Sequence, residues 1–326
     1  MHTNASPSHE RLHRDESGYS LIELMVSVAI VSIVAGTVMS GVFRLTQLTD
    51  TVSNRSEMHS GVRNATEFLQ QEIGQAGKIA LKNARFLGAA VSPAASVTVQ
   101  VNRAGNVGDV SGIFQGEQLI VDTGDLQETV RVLNLSPGGN TITGTFEKAH
   151  SAGAPITVQG GFGSGVLIGT NGSDANNLKI YGDLRDNGQM QYVEYFCDQT
   201  GSHNLYRRAM EMTDTTKPTY NVSHVLLNNI YENPPAIGQS TNFPCFSYDV
   251  KVINGESYVT NVAVTLTVQT QDKDPITKAF QRETKALLNV APRNVFSVWQ
   301  LASQNVPSRL QPMPAWVATL RDVTPN

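Results

Sequence analysis

The stretch that decides the fold is residues 18–43, which read GYSLIELMVSVAIVSIVAGTVMSGVF. Between Leu24 and Phe43 there is no charged residue. A helix of this length, rising about 1.5 Å per residue, covers the roughly 30 Å hydrocarbon core of a bilayer. The pattern therefore predicts a membrane-spanning helix. Glu23 lies at its entrance, where a carboxylate is costly unless a partner neutralises it.

The N-terminal segment resembles the class III signal of type IV prepilins and pseudopilins, with a polar leader (1–18) followed by Tyr19 and Glu23. The resemblance implies that prepilin peptidase cuts between Gly18 and Tyr19 and then N-methylates Tyr19. It also implies that Glu23 stays in the apolar helix and serves filament assembly. Tyr19 stands where the family usually has Phe.

A secretory signal peptide and an ordinary single-span anchor are the alternatives for this segment. A secretory apolar region is typically about 7–15 residues long, and this one is longer. The leader is only weakly basic, with Arg11 and Arg14 beside three acidic residues. Acidic residues count for little in membrane orientation. The spacing of Gly18 and Glu23 favours the prepilin interpretation.

A physical hypothesis explains Glu23 without the family. When such helices pack side by side, the new α-amino group of Tyr19 becomes a buried cation. Glu23 of a neighbouring subunit can neutralise it, and an unpaired buried charge would otherwise cost several kcal/mol. The pair would favour entry of a correctly staggered subunit into a fibre.

Beyond the span, apolar residues continue at helical spacing with charged residues between them. They recur mainly three or four residues apart, at Leu45, Leu48, Val52, Met58, Val62, Ala65, Leu69 and Ile73. We predict one helix from about Tyr19 to about Lys82, with 19–43 in the membrane and 44–82 as an amphipathic half under a globular head. Two helices with a break near Thr49–Ser53 are the alternative.

Residues 61–77, GVRNATEFLQQEIGQAG, resemble a stretch of PilW-type minor pilins. That stretch tends to read R-x-A-x-x-F-L-x-x-D-I-x-x-A-G, and Glu72 stands here where Asp is commoner. The match separates PilW-like proteins from small major pilins. Together the two motifs cover about 60 residues.

The rest of the chain predicts a β-rich head. Short β-branched or alternating runs are separated by turn sequences such as Asn254-Gly255, which favours antiparallel sheets. The best hairpin candidate joins Tyr258–Gln269 to Ala279–Asn289. The fold class is therefore α+β, a long N-terminal helix packed on an antiparallel β-rich head. We divide the head into a β-rich inserted subdomain (83–172), a pilin-like antiparallel sheet (173–300) and a Pro-rich C-terminal tail (301–326). We predict that the tail is either extended and pinned by Trp299 and Trp316 or partly disordered.

Cys197 and Cys245 are the two cysteines. Beyond the span the chain would lie in an oxidising compartment, where disulfides persist. One bridge closing a loop of this size would add roughly 4 kcal/mol in the chain-entropy model. Two free buried thiols are the alternative, and neither cysteine lies in a C-x-x-C motif.

Motifs for catalysis or metal binding are weak. His9-Glu10-Arg11-Leu12-His13 matches the zinc-protease pattern H-E-x-x-H, but it lies in the predicted leader, with no domain before it to supply a third ligand. The Gly-rich run 160–165 lacks the Gly-Lys-Ser/Thr of a phosphate loop and indicates a flexible boundary. Calcium candidates are Asp183, Asp186 and Asn187, or Asp272 and Asp274, and turn chemistry explains these residues equally well. We expect no cofactor, no metal and no enzymatic activity.

Charge argues against one class of partner. With 24 basic and 28 acidic side chains the net charge is −4, so no overall basic field favours nucleic acid. The resemblance implies a minor pilin that helps initiate assembly at or near a filament tip. Its partners would be other minor pilins, the major pilin, prepilin peptidase and the inner-membrane assembly platform. The chain would first be anchored in the inner membrane with the head in the periplasm, then enter a pilus or pseudopilus. A J-type pseudopilin of type II secretion and a membrane-anchored adhesin are the alternatives.

Overall fold

The computed structural model describes residues 18–286 and 289–323. The predicted leader before Gly18, including the H-E-x-x-H match, lies outside the described residues. The chain forms one very long helix, several antiparallel sheets and two short C-terminal helices. This agrees with the predicted α+β class.

The long helix α1 runs from Leu21 to Gln75, 55 residues, which is about 80 Å at 1.5 Å per residue. It passes through Thr49–Ser53 without the break considered as an alternative. It ends before the predicted boundary at Lys82 because Gly77 adopts a left-handed conformation (φ +80°). The Gly77 amide then donates to the carbonyl of Tyr181 (2.9 Å), so the chain joins a sheet instead of continuing the helix.

Seven strands follow α1 and form one sheet, ordered β1-β7-β4-β5-β6-β2-β3. Their bounds are β1 Arg85–Leu87, β2 Ala94–Arg103, β3 Val107–Gly108, β4 Gln118–Val121, β5 Glu128–Ser136, β6 Thr141–Phe146 and β7 Pro155–Val158. Every pairing is antiparallel. Because β1 pairs with both β7 and β2, six of these strands close into a small barrel. The barrel has its own apolar core, which includes Val101, Leu119, Val130, Ile142 and Ile156.

The remaining strands build the part of the head that packs on α1. They are β8 Gly161–Phe162, β9 Asn177–Gly182, β10 Gln191–Asp198, β11 Asn204–Glu211, β12 Val225–Asn228, β13 Ile230–Tyr231, β14 Phe246–Ile253, β15 Glu256–Gln269, β16 Arg282–Ala286 and β17 Leu310–Gln311. One sheet has the order β12-β11-β10-β9, and a second has β13-β15-β14 with β16 paired to β15. The predicted hairpin is present as β15 and β16.

The main core lies between α1 and these two sheets. The helix contributes Val62, Ala65, Leu69 and Ile73, which are buried against strand residues such as Val193 and Val264. Their spacing places them on one face of the helix. The amphipathic pattern read from the sequence therefore identifies the face that the head covers. The division of the head at 172 and 300 stays a prediction.

The C-terminal region differs from the predicted extended tail. The predicted tail contains β17 and the helix α3 Ala315–Asp322. A further helix, α2 Arg293–Ser303, lies mostly in the region that was predicted to be antiparallel sheet. Val295, Val298 and Ala302 on α2 and Val317 and Leu320 on α3 are buried. Trp299 and Trp316 pack against these clusters. The apolar spacing on each helix accounts for its folding despite the prolines around it.

The Gly-rich run is a packed junction rather than the flexible boundary predicted. Strand β8 pairs in parallel with β17 and so holds the C-terminal region. A Cβ on Gly160 would lie 1.8 Å from the carbonyl oxygen of Arg309, and one on Gly165 would lie 2.3 Å from the backbone of Gly77. Glycine is needed here for close backbone approach.

Candidate assembly interface

The N-terminal half of α1 projects from the head without contacts from it. Every residue from Leu21 to Asp50 is exposed. Within the described residues, α1 is the one helix long and apolar enough to cross a membrane. A helix that is apolar on all sides and unburied by its own protein requires lipid or other helices around it.

Polar side chains within this half satisfy their own hydrogen bonds. The hydroxyl groups of Ser27, Ser32, Thr37 and Thr46 donate to carbonyl groups three or four residues earlier, at 2.7–3.0 Å. In hydrocarbon an unpaired hydroxyl would cost several kcal/mol. The hydroxyls therefore do not prevent burial of the helix in a bilayer.

The predicted cleavage site lies just before the helix. Gly18, Tyr19 and Ser20 are outside regular secondary structure, and the Tyr19 residue is 89% exposed. A Cβ placed on Gly18 would meet no atom within 4 Å. The bond between Gly18 and Tyr19 is thus accessible on a non-helical segment, as a peptidase requires. Its cleavage, and methylation of Tyr19, stay predictions.

Glu23 closes the helix N-terminus together with Ser20. The Ser20 amide donates to Glu23 Oε2 (3.0 Å), and the Glu23 amide donates to Ser20 Oγ (3.3 Å). This reciprocal pair is a capping box, and its carboxylate faces the positive end of the helix dipole. Sequence reasoning missed Ser20, although the spacing Ser-x-x-Glu was a readable signal. Glu23 therefore has a local partner before any neighbouring subunit arrives.

The C-terminal half of α1 is fastened to the sheet by a buried ion pair. Glu72, almost fully buried, receives hydrogen bonds from Arg207 Nε (3.1 Å) and Nη2 (2.5 Å) on β11. The hydroxyl of Tyr195 on β10 donates to the same carboxylate (2.5 Å). Burial, and then the charge of Glu72, raise the pKa of the Tyr195 hydroxyl well above its usual value. Sequence reasoning saw Glu72 only as a departure from the PilW-type pattern, because its partners lie 123 and 135 residues away.

The cysteines lie between the two sheets that pack on α1. Cys197 is on β10, Cys245 directly precedes β14, and both side chains are in the main core. The structure joins them by a disulfide with Cα atoms 6.5 Å apart. The bridge in the mature protein remains a prediction that chemistry must test.

Four of the five calcium candidates, all except Asp272, have protein partners for their side chains. The ammonium group of Lys78 contacts both Asp186 and Asp183, the latter at 3.6 Å. The backbone amides of Asn187 and Gly188 donate to Asp183. The Asp274 carboxylate accepts hydrogen bonds from the backbone amides of Ile276 (2.8 Å) and Thr277 (2.7 Å). These are turn and ion-pair contacts, and the described residues contain no cluster of three or more His, Cys, Asp or Glu that fits a metal ion.

Comparison with known proteins supports the signal and leaves the head without a match. No curated protein and no solved structure matches the chain. Residues 13–39 match the family model of the prokaryotic N-terminal methylation motif. That motif belongs to proteins that are structural rather than catalytic, and it covers the leader end, Gly18, Tyr19, Glu23 and most of the apolar run. By this motif and its exposed apolar helix, the chain is a protein similar to type IV pilins and pseudopilins, anchored by α1 before assembly.

Proposed function

We propose that this protein is a minor pilin of a type IV filament system, similar to PilW-type proteins. It is incorporated at or near the filament tip and helps to initiate assembly. The single observation that carries the proposal is the methylation motif on an apolar half-helix that the head leaves uncovered. Such a surface is stable in a bilayer or in a bundle of like helices, and the step from one to the other is filament assembly.

The barrel supports a position at the tip. Leu81, just beyond the end of α1, packs on the barrel core, and Gln118 of β4 is bound by Gln311 at 2.9 Å. The barrel therefore extends the head at the end of α1 opposite the membrane. A filament that grows at the membrane carries older subunits farther out. A bulky distal extension is accommodated most easily where no older subunit lies above it.

The proposed partners follow from this role. The apolar half of α1 would contact the major pilin and other minor pilins, prepilin peptidase would act at Gly18, and the inner-membrane assembly platform would receive the subunit. Before assembly the head would lie in the periplasm, and afterwards on a pilus or pseudopilus.

Processing is tested by the intact mass and N-terminal sequence of membrane-extracted protein, with and without the host prepilin peptidase. We expect a start at Tyr19 carrying one extra methyl group, dependent on that enzyme. Gly18→Val should block the cut without disturbing the fold, because a side chain at this position meets no neighbour. Gly36→Ala, on the exposed helix face, is the matched control. A start at Met1, or a cut beyond Phe43, would contradict the proposal.

The place in the filament is tested by immunogold labelling of the head on sheared filaments. We expect label at one end, and label along the whole length would exclude the tip. A deletion strain separates the alternatives. Loss of piliation supports the minor pilin, loss of secreted enzymes supports the J-type pseudopilin, and loss of attachment with normal pili supports the adhesin.

A further inference from the structure

The segment 271–280, in the connection between β15 and β16, is mostly exposed although it carries large apolar side chains. We call it the hairpin turn. Ile276 is 55% exposed and Phe280 is 43% exposed. The turn joins β15 to β16, and β15 packs against α1.

The hairpin turn is held in one conformation by Asp274. The Asp274 carboxylate accepts the amides of Ile276 and Thr277 and the Gln281 side-chain amide (2.7 Å). The Asp274 amide donates to Ala279, and the Lys278 amide donates back to the Asp274 carbonyl (2.8 Å). These bonds, the backbone amides foremost, hold the pKa of the Asp274 carboxyl below its usual value. These hydrogen bonds therefore fix the turn in a conformation in which the Ile276 side chain is exposed.

Successive contacts between the hairpin and α1 lie progressively closer to the N-terminal, membrane end of the helix. The first joins His59 Nε2 to Glu283 Oε2 (3.3 Å). Nearer the membrane, the Arg55 side chain donates a hydrogen bond to the Gln281 side chain. Still nearer the N-terminus of α1, the polar side chain of Thr51 contributes to lowering the pKa of the Asp274 carboxyl. The hairpin turn therefore lies at the membrane-proximal end of the head.

The turn is close enough to reach lipid headgroups. The apolar run ends at Arg44, and Thr51 lies seven residues later, which is about 10 Å along the helix axis. The headgroup layer extends roughly 5–8 Å beyond the hydrocarbon core. The turn and its side chains therefore need to cross only a few ångströms to enter that layer.

The charges on the turn fit an anionic lipid surface. Lys273 and Lys278 are exposed, and the Lys273 ammonium lies 5.5 Å from the centre of the Phe280 ring. Asp272 is exposed as well, while the Asp274 charge is engaged within the turn. A basic residue near an anionic surface contributes about 1 kcal/mol, and apolar neighbours add to this by entering the interface.

We propose that the hairpin turn docks on the periplasmic surface of the membrane, with Ile276 and Phe280 in the interface and Lys273 and Lys278 on lipid phosphates. This contact holds the head at a fixed orientation over the bilayer until the subunit leaves for a filament. It depends on anchoring through α1 and is independent of the minor-pilin role. A failed tip test, or an uncut start at Met1, therefore leaves it standing, whereas a cut beyond Phe43 would remove the anchor that it requires. Its own failure leaves the minor-pilin role untouched.

The test uses the full-length protein in nanodiscs that hold one chain each, made of mixed zwitterionic and anionic lipids. A fluorophore is attached at Ala279→Cys, an exposed position whose side chain has no bonding role, and quenched by lipids carrying a headgroup nitroxide. The matched control is Val252→Cys, 64% exposed near the far end of β15, which at about 3.3 Å per residue is some 40 Å away. We expect the probe at 279 to lose most of its emission and the probe at 252 to lose little.

Variants identify the side chains responsible. Replacing Ile276 and Phe280 together by Ser should abolish the quenching at 279, whereas Val252→Ser should leave it unchanged. Lys278→Gln should lower the ratio of docked to free turn about fivefold in anionic lipid. Equal quenching at 279 and 252 overturns the proposal. So does a probe that is free in single-chain nanodiscs and shielded only in filaments, because a neighbouring subunit would then be the partner.

Discussion

Glu117 is a fully buried carboxylate directly before β4, with one oxygen unpartnered. Its Oε2 accepts the Phe114 amide (3.0 Å), and its Oε1 has no hydrogen-bond partner. Burial raises the pKa of Glu117 from 4.5 to about 8. The folded state therefore binds this proton more tightly than the unfolded state does. The contribution of Glu117 to stability is therefore greatest below about pH 4.5, falls as the pH rises toward about 8, and then levels off.

We predict that Glu117→Gln removes this pH dependence. Glutamine keeps an acceptor for the Phe114 amide and carries no charge to bury. One pKa unit corresponds to about 1.4 kcal/mol, so the variant should gain roughly 5 kcal/mol over the wild type at alkaline pH. Urea unfolding at about pH 5 and about pH 9 measures this difference. Glu147→Gln, at an exposed position, is the control and should behave as the wild type at both values.

Glu72 gives a second prediction at the residue scale. Glu72→Gln leaves the Arg207 guanidinium half-buried without its anion, which costs about 3–5 kcal/mol in comparable buried pairs. Thermal unfolding should show a clearly lower midpoint. Glu67→Gln is the matched control on the same helix, since Glu67 pairs with Arg63 at 3.0 Å in solvent. Its loss should cost less than about 1 kcal/mol. Equal losses for the two variants would contradict a structural role for Glu72.

At the scale of elements, the bridge between Cys197 and Cys245 ties the end of β10 to the start of β14. We predict that it is oxidised in the exported protein, and that replacing both cysteines by Ser costs about 2–5 kcal/mol. Mass spectrometry after alkylation, with and without reduction, reads the redox state directly. Alkylation of both thiols before reduction would show that the bridge is absent. Unfolding of the double Ser variant measures its contribution.

Helix α1 shows how far local sequence patterns lead. Its apolar run, its single-helix continuity and its buried stripe were readable because each depends on residues three or four positions apart. Its end was not, since Gly77 stops the helix through contacts with Tyr181 and Phe162, which lie far along the chain. Helix α2 was missed for a different reason. Val295, Val298 and Ala302 have readable helical spacing, but residues up to 300 were assigned to the antiparallel sheet that precedes them.

At the scale of the molecule, the sequence predicted a β-rich head but neither its barrel nor its fastening to α1. Barrel closure depends on β1 pairing with both β7 and β2, and short strand patterns carry no information about such distant pairing. The attachment of the head to α1 depends on the hydrogen bonds of Glu72 with Arg207 and Tyr195, and only the complete fold brings these residues together. The signal motif around Gly18, Tyr19 and Glu23 was readable because it is contiguous and the helix has no tertiary contacts there.

The exposed N-terminus of α1 carries the last prediction, which separates two roles of Glu23. Its carboxylate closes a capping box with Ser20 within the subunit, and we propose that it also neutralises the α-amino group of a neighbour's Tyr19. Gln at this position still completes a capping box but has no charge. Glu23→Gln therefore removes only the charge, and Ser20→Ala removes the cap at a cost of about 1 kcal/mol.

We expect both variants to insert in the membrane and to be cut after Gly18. Glu23→Gln should lower the amount in sheared filaments relative to the membrane at least about tenfold, because leaving a buried cation unpaired costs several kcal/mol. Ser20→Ala should lower it far less. Immunoblots of the two fractions give this ratio. An equal loss in both variants would assign Glu23 to the helix cap alone, and normal incorporation of Glu23→Gln would exclude charge pairing between subunits as the force that recruits this protein.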